Sequence, residues 1–217
     1  MSAQQRAAQG LWDHLAGLPG VVVVTPDSPL RTTVLAVAAA ALTQAGVLGR
    51  FLVEQLERLD TLSMCLPVPG LGHLVLMSQA AMRDAVSGVS TLAHEVCHRD
   101  QGEREGVARN AIDYVASPEL RAAREAEAYV VGLWTRYLLT GEMPEPHGVL
   151  ASISGDTYHL AAADVDLARG VIASHLATIR GGVCPPIGTA LTVLRYLQAH
   201  HPEAIVPVAH RAAPGES

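Results

Sequence analysis

A chain of 217 residues is long enough for one globular domain with a real hydrophobic core. Apolar residues make up 49% of it but aromatics only 4%, so Ala, Leu and Val must do most of the packing, which favours closely packed helices. A formal charge of −6, a pI near 5.9 and basic residues that are all scattered arginines argue against a nucleic-acid partner.

Cys65, Cys97 and Cys184 form no CxxC pair and leave one thiol over in any pairing, which fits a reducing compartment rather than a disulfide framework. The stretch MSAQQRAAQGLWDHLAG lacks the unbroken apolar segment of a signal peptide, so a cytoplasmic location is expected.

Residues 1–17 read as a short helix closed by GLPG, and the β-branched run VVVV at 21–24, bounded by turn residues, reads as a strand. In DSPL, Ser28 is the expected N-cap and Pro29 the first helical residue of a long or broken helix to about Leu59. Its apolar run from Val34 to Leu42 is shorter than the ~20 residues of a membrane span, so a buried helix is expected and no span. TLSMCLPV and HLVLMS, separated by PGLG, predict a β-hairpin over 61–78.

A helix is predicted over about 79–101, then another at VARNAIDYVA. A third is expected to start at SPEL, with Ser117 as N-cap and Pro118 in the first turn, and to run to Thr140 with Gly141 as its stop. A helical C-terminal part over about 158–200, split at GGVCPP, and a loosely ordered tail at 201–217 complete a single domain over 1–200 with its core at about 60–140.

The chemistry concentrates in STLAHEVCHRDQG, residues 90–102. Residues four apart share a helix face, so His94 and His98 can offer two imidazole nitrogens to one zinc ion, at about 2.0–2.1 Å. Glu95 then stands beside the metal without binding it. Three protein ligands leave a position open for water, and a neighbouring carboxylate can take that water's proton. A third histidine in the form HxxGxxH is absent. The carboxylates that could complete the site are Glu125 and Glu127, in the middle of the best-capped helix. By helical phase Glu127 lies within the bulky stripe of Val130, Val131, Trp134 and Leu138, where a buried carboxylate needs a partner.

HEVCH followed by EAEAY resembles the gluzincin metallopeptidases, over about residues 72–139. The resemblance implies a zincin-like core with a small sheet packed on the HExxH helix, in an α+β, predominantly helical fold. It implies that His94, His98 and Glu125 hold zinc and that Glu95 is the general base. It also implies that HLVLMS is the edge strand that pairs with a peptide or protein substrate. Tyr129 stands where many members have Asp. Candidates for stabilising the oxyanion are Tyr158, His159, His73, Tyr114 and His175, and Arg99, Arg104, Arg121 and Arg124 could line a rim.

Two other readings are carried alongside. SMCLPVPG resembles the cysteine-bearing segment of peptide deformylases, which would make Cys65 the third ligand of a zinc amidase. A non-catalytic protein would keep the same scaffold for assembly or partner binding. Cys97, inside the motif, is expected to be a small buried residue, because a fourth protein ligand would close the water position.

Overall fold

The computed structural model describes residues 1–43, 56, 58, 61–68, 72–142, 150, 151, 153 and 158–205. The chain folds mainly into helices around a small mixed sheet: α1 (Ala3–Ala16), β1 (Val21–Val24), α2 (Arg31–Thr43), β2 (Met64–Val68), β3 (Gly72–Leu76), α3 (Ala85–Glu105), α4 (Val107–Ala116), α5 (Pro118–Thr140), α6 (Ala162–Arg180) and α7 (Gly188–His200). Among the described residues, no helix is long and apolar enough to cross a membrane. The expected extension of the second helix to Leu59 and most of the tail lie outside the described residues.

Local chemistry accounts for several helix ends. Ser2 and Gln5 form a reciprocal capping box on α1, and the Asp84 side chain accepts from Ser87 N–H at the start of α3. Ser117 caps α5 through Leu120 N–H, Pro118 follows, and Gly141 closes the helix in the left-handed conformation, as the sequence predicts. Ser28 is a correction. Its hydroxyl accepts from Leu30 N–H in a turn that includes Pro29, and α2 begins only at Arg31. The helix predicted over 79–101 is likewise shifted: a 3-10 turn occupies Ala81–Arg83, and α3 runs from Ala85 to Glu105, past the charged GERE segment to Gly106.

The strand order is β1-β3-β2, with β1 parallel and β2 antiparallel to β3. The hairpin forms as predicted, but β3 is the central strand. This overturns the expectation that His73 to Ser78 forms a free edge for substrate: one side of β3 bonds β1 and the other bonds β2. His73 N–H donates to Gly20 O (2.6 Å) and Met77 N–H to Val24 O (2.9 Å), so alternate residues face β1, and Leu74 and Leu76 face β2. In β2, Met64 and Leu66 therefore bond inward, while Cys65 turns its N–H and C=O, and Pro67 its C=O, toward the outer edge. Proline is tolerated there because the N–H it lacks would point away from the sheet.

Alternation also divides the side chains between two layers. Val22, Val24, Leu66, Leu74 and Leu76 pack with Val34 and Leu35 of α2 on one face of the sheet. Val21, Val75 and Met77 join the main core on the other, with Leu11 and Leu15 of α1, Leu92 and Val96 of α3, and Trp134 and Leu138 of α5. Gly72, at φ +100°, lies so close to the Gly20 backbone that a side chain there would collide with it.

Helices α3 and α5 form the most extensive helix pair. A Cβ at Gly132 would lie 3.1 Å from Ser90 O and 3.7 Å from His94 Cβ, so the missing side chain permits the close approach. Ala122 and Ala128, small residues of α5, are both fully buried.

Candidate metal centre

The i, i+4 spacing on α3 stacks His94 and His98, and α5 brings Glu125 against both. The His94 and His98 Nε2 atoms are 3.2 Å apart. His94 Nε2 lies 3.5 Å from Glu125 Oε2, and His98 Nε2 lies 3.4 Å from Glu125 Oε1. A tetrahedral ion with bonds of about 2.0–2.1 Å separates its ligand atoms by about 3.3–3.4 Å. The three side chains match that spacing and, among the described residues, form the group suited to hold a metal ion. Glu125 is only 2% exposed, and its Oε2 is a buried oxygen with no hydrogen-bond partner. A buried carboxylate that turns one oxygen to each of two imidazole nitrogens, with Oε2 lacking a hydrogen-bond partner, suits a divalent cation with a taste for nitrogen and oxygen.

The electrostatics agree. Burial raises the Glu125 carboxyl, but His98 and His94 and the hydroxyl of Tyr114 outweigh it and hold its pKa down to about 2, so the carboxylate is charged. For His94, burial disfavours the imidazolium, yet Glu125 and Glu95 bring the net shift above the ordinary value. For His98, burial wins and the net shift is downward. Glu95 is 3% exposed, and burial raises its pKa to about 7, with His94 opposing and Glu125 adding to the rise.

Glu127 has a different place. Two residues on from Glu125, it is turned by about 200° around the helix, away from the histidine pair. It accepts from Gln101 Nε2 at 2.7 Å and from both terminal nitrogens of Arg104 at 3.2 Å. Cys65 is also outside the ligand group; its thiol on β2 lies within the electrostatic reach of Glu95, Arg99 and Asp100. Cys97 is buried on α3 between the two histidines, as expected of a small core residue.

Of the expected oxyanion candidates, Tyr114 reaches the group directly, donating its hydroxyl to Glu125 Oε1 at 2.5 Å. Tyr158 OH lies 3.3 Å from Tyr129 OH, and the Tyr129 ring meets His94 edge-on with centroids 4.6 Å apart. His73 is outside the ligand group, one helical turn on from His98: its ring nitrogen would lie 3.4 Å from a Cβ at Gly102. His175 on α6 is also outside the ligand group, and His159 contributes its backbone carbonyl to Arg121.

Arg121 and Arg124 correct the idea of an arginine rim, since both are buried and bonded inward. Arg121 donates to Tyr158 O (2.8 Å) and Tyr114 O (2.7 Å), tying both tyrosine segments to α5. Arg124 donates to Asn110 O (3.1 Å) and pairs with Glu105. Together they hold α4, none of whose residues is fully buried, over the site. Sequence reasoning missed these anchors and Gln101, which shares the His98 face of α3 at i+3 and accepts at Oε1 from His98 Nδ1 at 2.9 Å. No protein-family model, curated protein or solved structure matches the chain, so its function must be read from this site.

Proposed function

We propose that the chain is a zinc-dependent peptidase of gluzincin type, with His94, His98 and Glu125 as metal ligands. The observation that carries the reading is the convergence of these three side chains at 3.2–3.5 Å, with Glu95 buried beside them. When bound there, zinc supplies Lewis acidity and lowers the pKa of a water molecule in its open position.

The protein's own groups then divide the work. Glu95 takes a proton on its carboxylate as the water attacks the carbonyl carbon, and it returns that proton to the leaving amine nitrogen. The Tyr114 hydroxyl stands at the ligand group, and on giving up its hydrogen bond to Glu125 Oε1 it can donate to the carbonyl oxygen as charge develops there. A peptide in extended form can pair with the outer edge of β2 through the Cys65 N–H and C=O; this strand packs on α3 and carries the thiol that feels the Glu95 charge.

The test uses purified protein reconstituted with zinc and a mixed library of quenched fluorescent peptides. Cleavage is expected, with loss of turnover on chelation and recovery on adding zinc. Glu95→Gln should retain zinc and lose at least about 10²-fold in rate, the range of a general base. If Glu95→Gln keeps the wild-type rate, the assignment is wrong. If the zinc-loaded wild type cleaves nothing while binding the metal, the site serves a non-catalytic scaffold.

A further inference from the structure

The Gln101 side chain has a definite orientation, because its two ends meet partners of different kinds. Its Nε2 lies 2.7 Å from Glu127 Oε2 and 3.0 Å from Arg124 O, and both of those atoms only accept hydrogen bonds. Oε1 must therefore be the atom that faces His98, where it lies 2.9 Å from Nδ1. An amide oxygen can only accept, so His98 carries a proton on Nδ1, which leaves Nε2, the nitrogen that faces His94 and Glu125, as the one to bind a metal.

We infer that Gln101 is a positioning residue that sets the His98 tautomer for metal binding, with Glu127 and Arg104 as its anchor. This rests on the metal-centre reading above. It also assigns a role to Glu127, a carboxylate near the site that is not a ligand. Arg104 neutralises Glu127 through two contacts of 3.2 Å, so the amide is gripped by a charge-assisted hydrogen bond without adding an unpaired negative charge to the site. Partners of this kind fix ring orientation and ligand basicity, and losing them lowers metal affinity by about 10–100-fold.

Two substrate-free measurements test the inference. Long-range ¹H–¹⁵N correlation spectra of the metal-free protein should show His98 as the Nδ1–H tautomer. In Gln101→Met, a linear side chain of similar length with no amide, the Nε2–H tautomer should appear. Zinc affinity, read by competition with a chromogenic chelator, should fall by about 10–100-fold. The exchange Gln101→Glu with Glu127→Gln keeps an acceptor for Nδ1 and a donor to hold it but loses the donor to Arg124 O, so it should preserve the Nδ1–H tautomer and recover part of the affinity.

An Nε2–H tautomer in the wild type, or in the exchange variant, overturns the inference. So does a Gln101→Met protein with wild-type tautomer and wild-type zinc affinity. Should Gln101→Met fail to fold, the wild-type and exchange spectra still decide. A protein that binds zinc and cleaves no peptide removes the peptidase reading and leaves Gln101 its role, whereas a wild type that binds no zinc overturns both.

Discussion

Replacing Glu125 by Gln is the sharpest single perturbation of the metal centre. The amide has the same shape as the carboxylate, so the buried site between α3 and α5 stays filled. Tyr114 keeps an oxygen to donate to, and the new NH₂ can donate to an imidazole nitrogen where Oε2 now stands without a partner. What is lost is the anionic ligand. For the wild type, zinc at a hundred times its dissociation constant stabilises the fold by about 2.7 kcal/mol. In a chain of this size each kcal/mol moves the melting temperature by about 2–4 °C, so zinc should raise it by about 5–11 °C.

Loss of a supporting hydrogen bond alone costs about 10–100-fold in affinity, so loss of a ligand should cost at least about 100-fold. At the same zinc concentration the stabilisation then drops to about 0.4 kcal/mol, a shift of about 1–2 °C. The assay is differential scanning calorimetry of chelator-stripped protein with and without zinc. Equal zinc-induced shifts in the wild type and Glu125→Gln would refute the ligand assignment, and so would no shift in the wild type.

Two further outcomes concern the scaffold. Gly132→Val places a branched side chain where even a Cβ would lie 3.1 Å from Ser90 O, so denaturant unfolding should show a loss of about 1–3 kcal/mol. Because that position also faces His94 Cβ at 3.7 Å, zinc affinity should fall with it. Asp84→Ala removes the N-cap of α3 and should cost about 1 kcal/mol at pH 7. Burial works to raise the Asp84 pKa, but hydrogen bonds from Ser87 outweigh it, and the folded value lies below the unfolded one. The cap's contribution is therefore present above the unfolded pKa and lost as pH falls through the folded one, and urea titrations of the two proteins should converge in strong acid.

How far the sequence reaches can be judged residue by residue. The pairing of His94 with His98 needs only helical periodicity, and the capping of α5 by Ser117 and Gly141 needs only local backbone chemistry. The choice between Glu125 and Glu127 is of another kind. Both sit on the same helix, and which one meets the histidines depends on how α5 is rotated against α3. Phase alone pointed to Glu127 because the stripe of Val130, Val131, Trp134 and Leu138 is indeed fully buried. Glu125 is buried too, on the side where Gly132 and Ala128 let the helices touch.

The same division applies to the sheet. PGLG announces the β2–β3 hairpin, since a turn is a short-range event, but nothing near HLVLMS says that VVVV will pair in parallel along its other side. That pairing makes β3 central and leaves β1 and β2 as the edge strands among the described residues, which moves the substrate strand of the proposed site from His73 to Cys65. Gln101 went unread, and Arg121 was placed on a rim, for a similar reason: their partners lie on other elements. Elements, caps and the histidine pair follow from interactions within a few residues along the chain. The third member of the candidate site, the choice of edge strand and the anchors of the site depend on the rotation and pairing of distant segments, and only packing in three dimensions decides those.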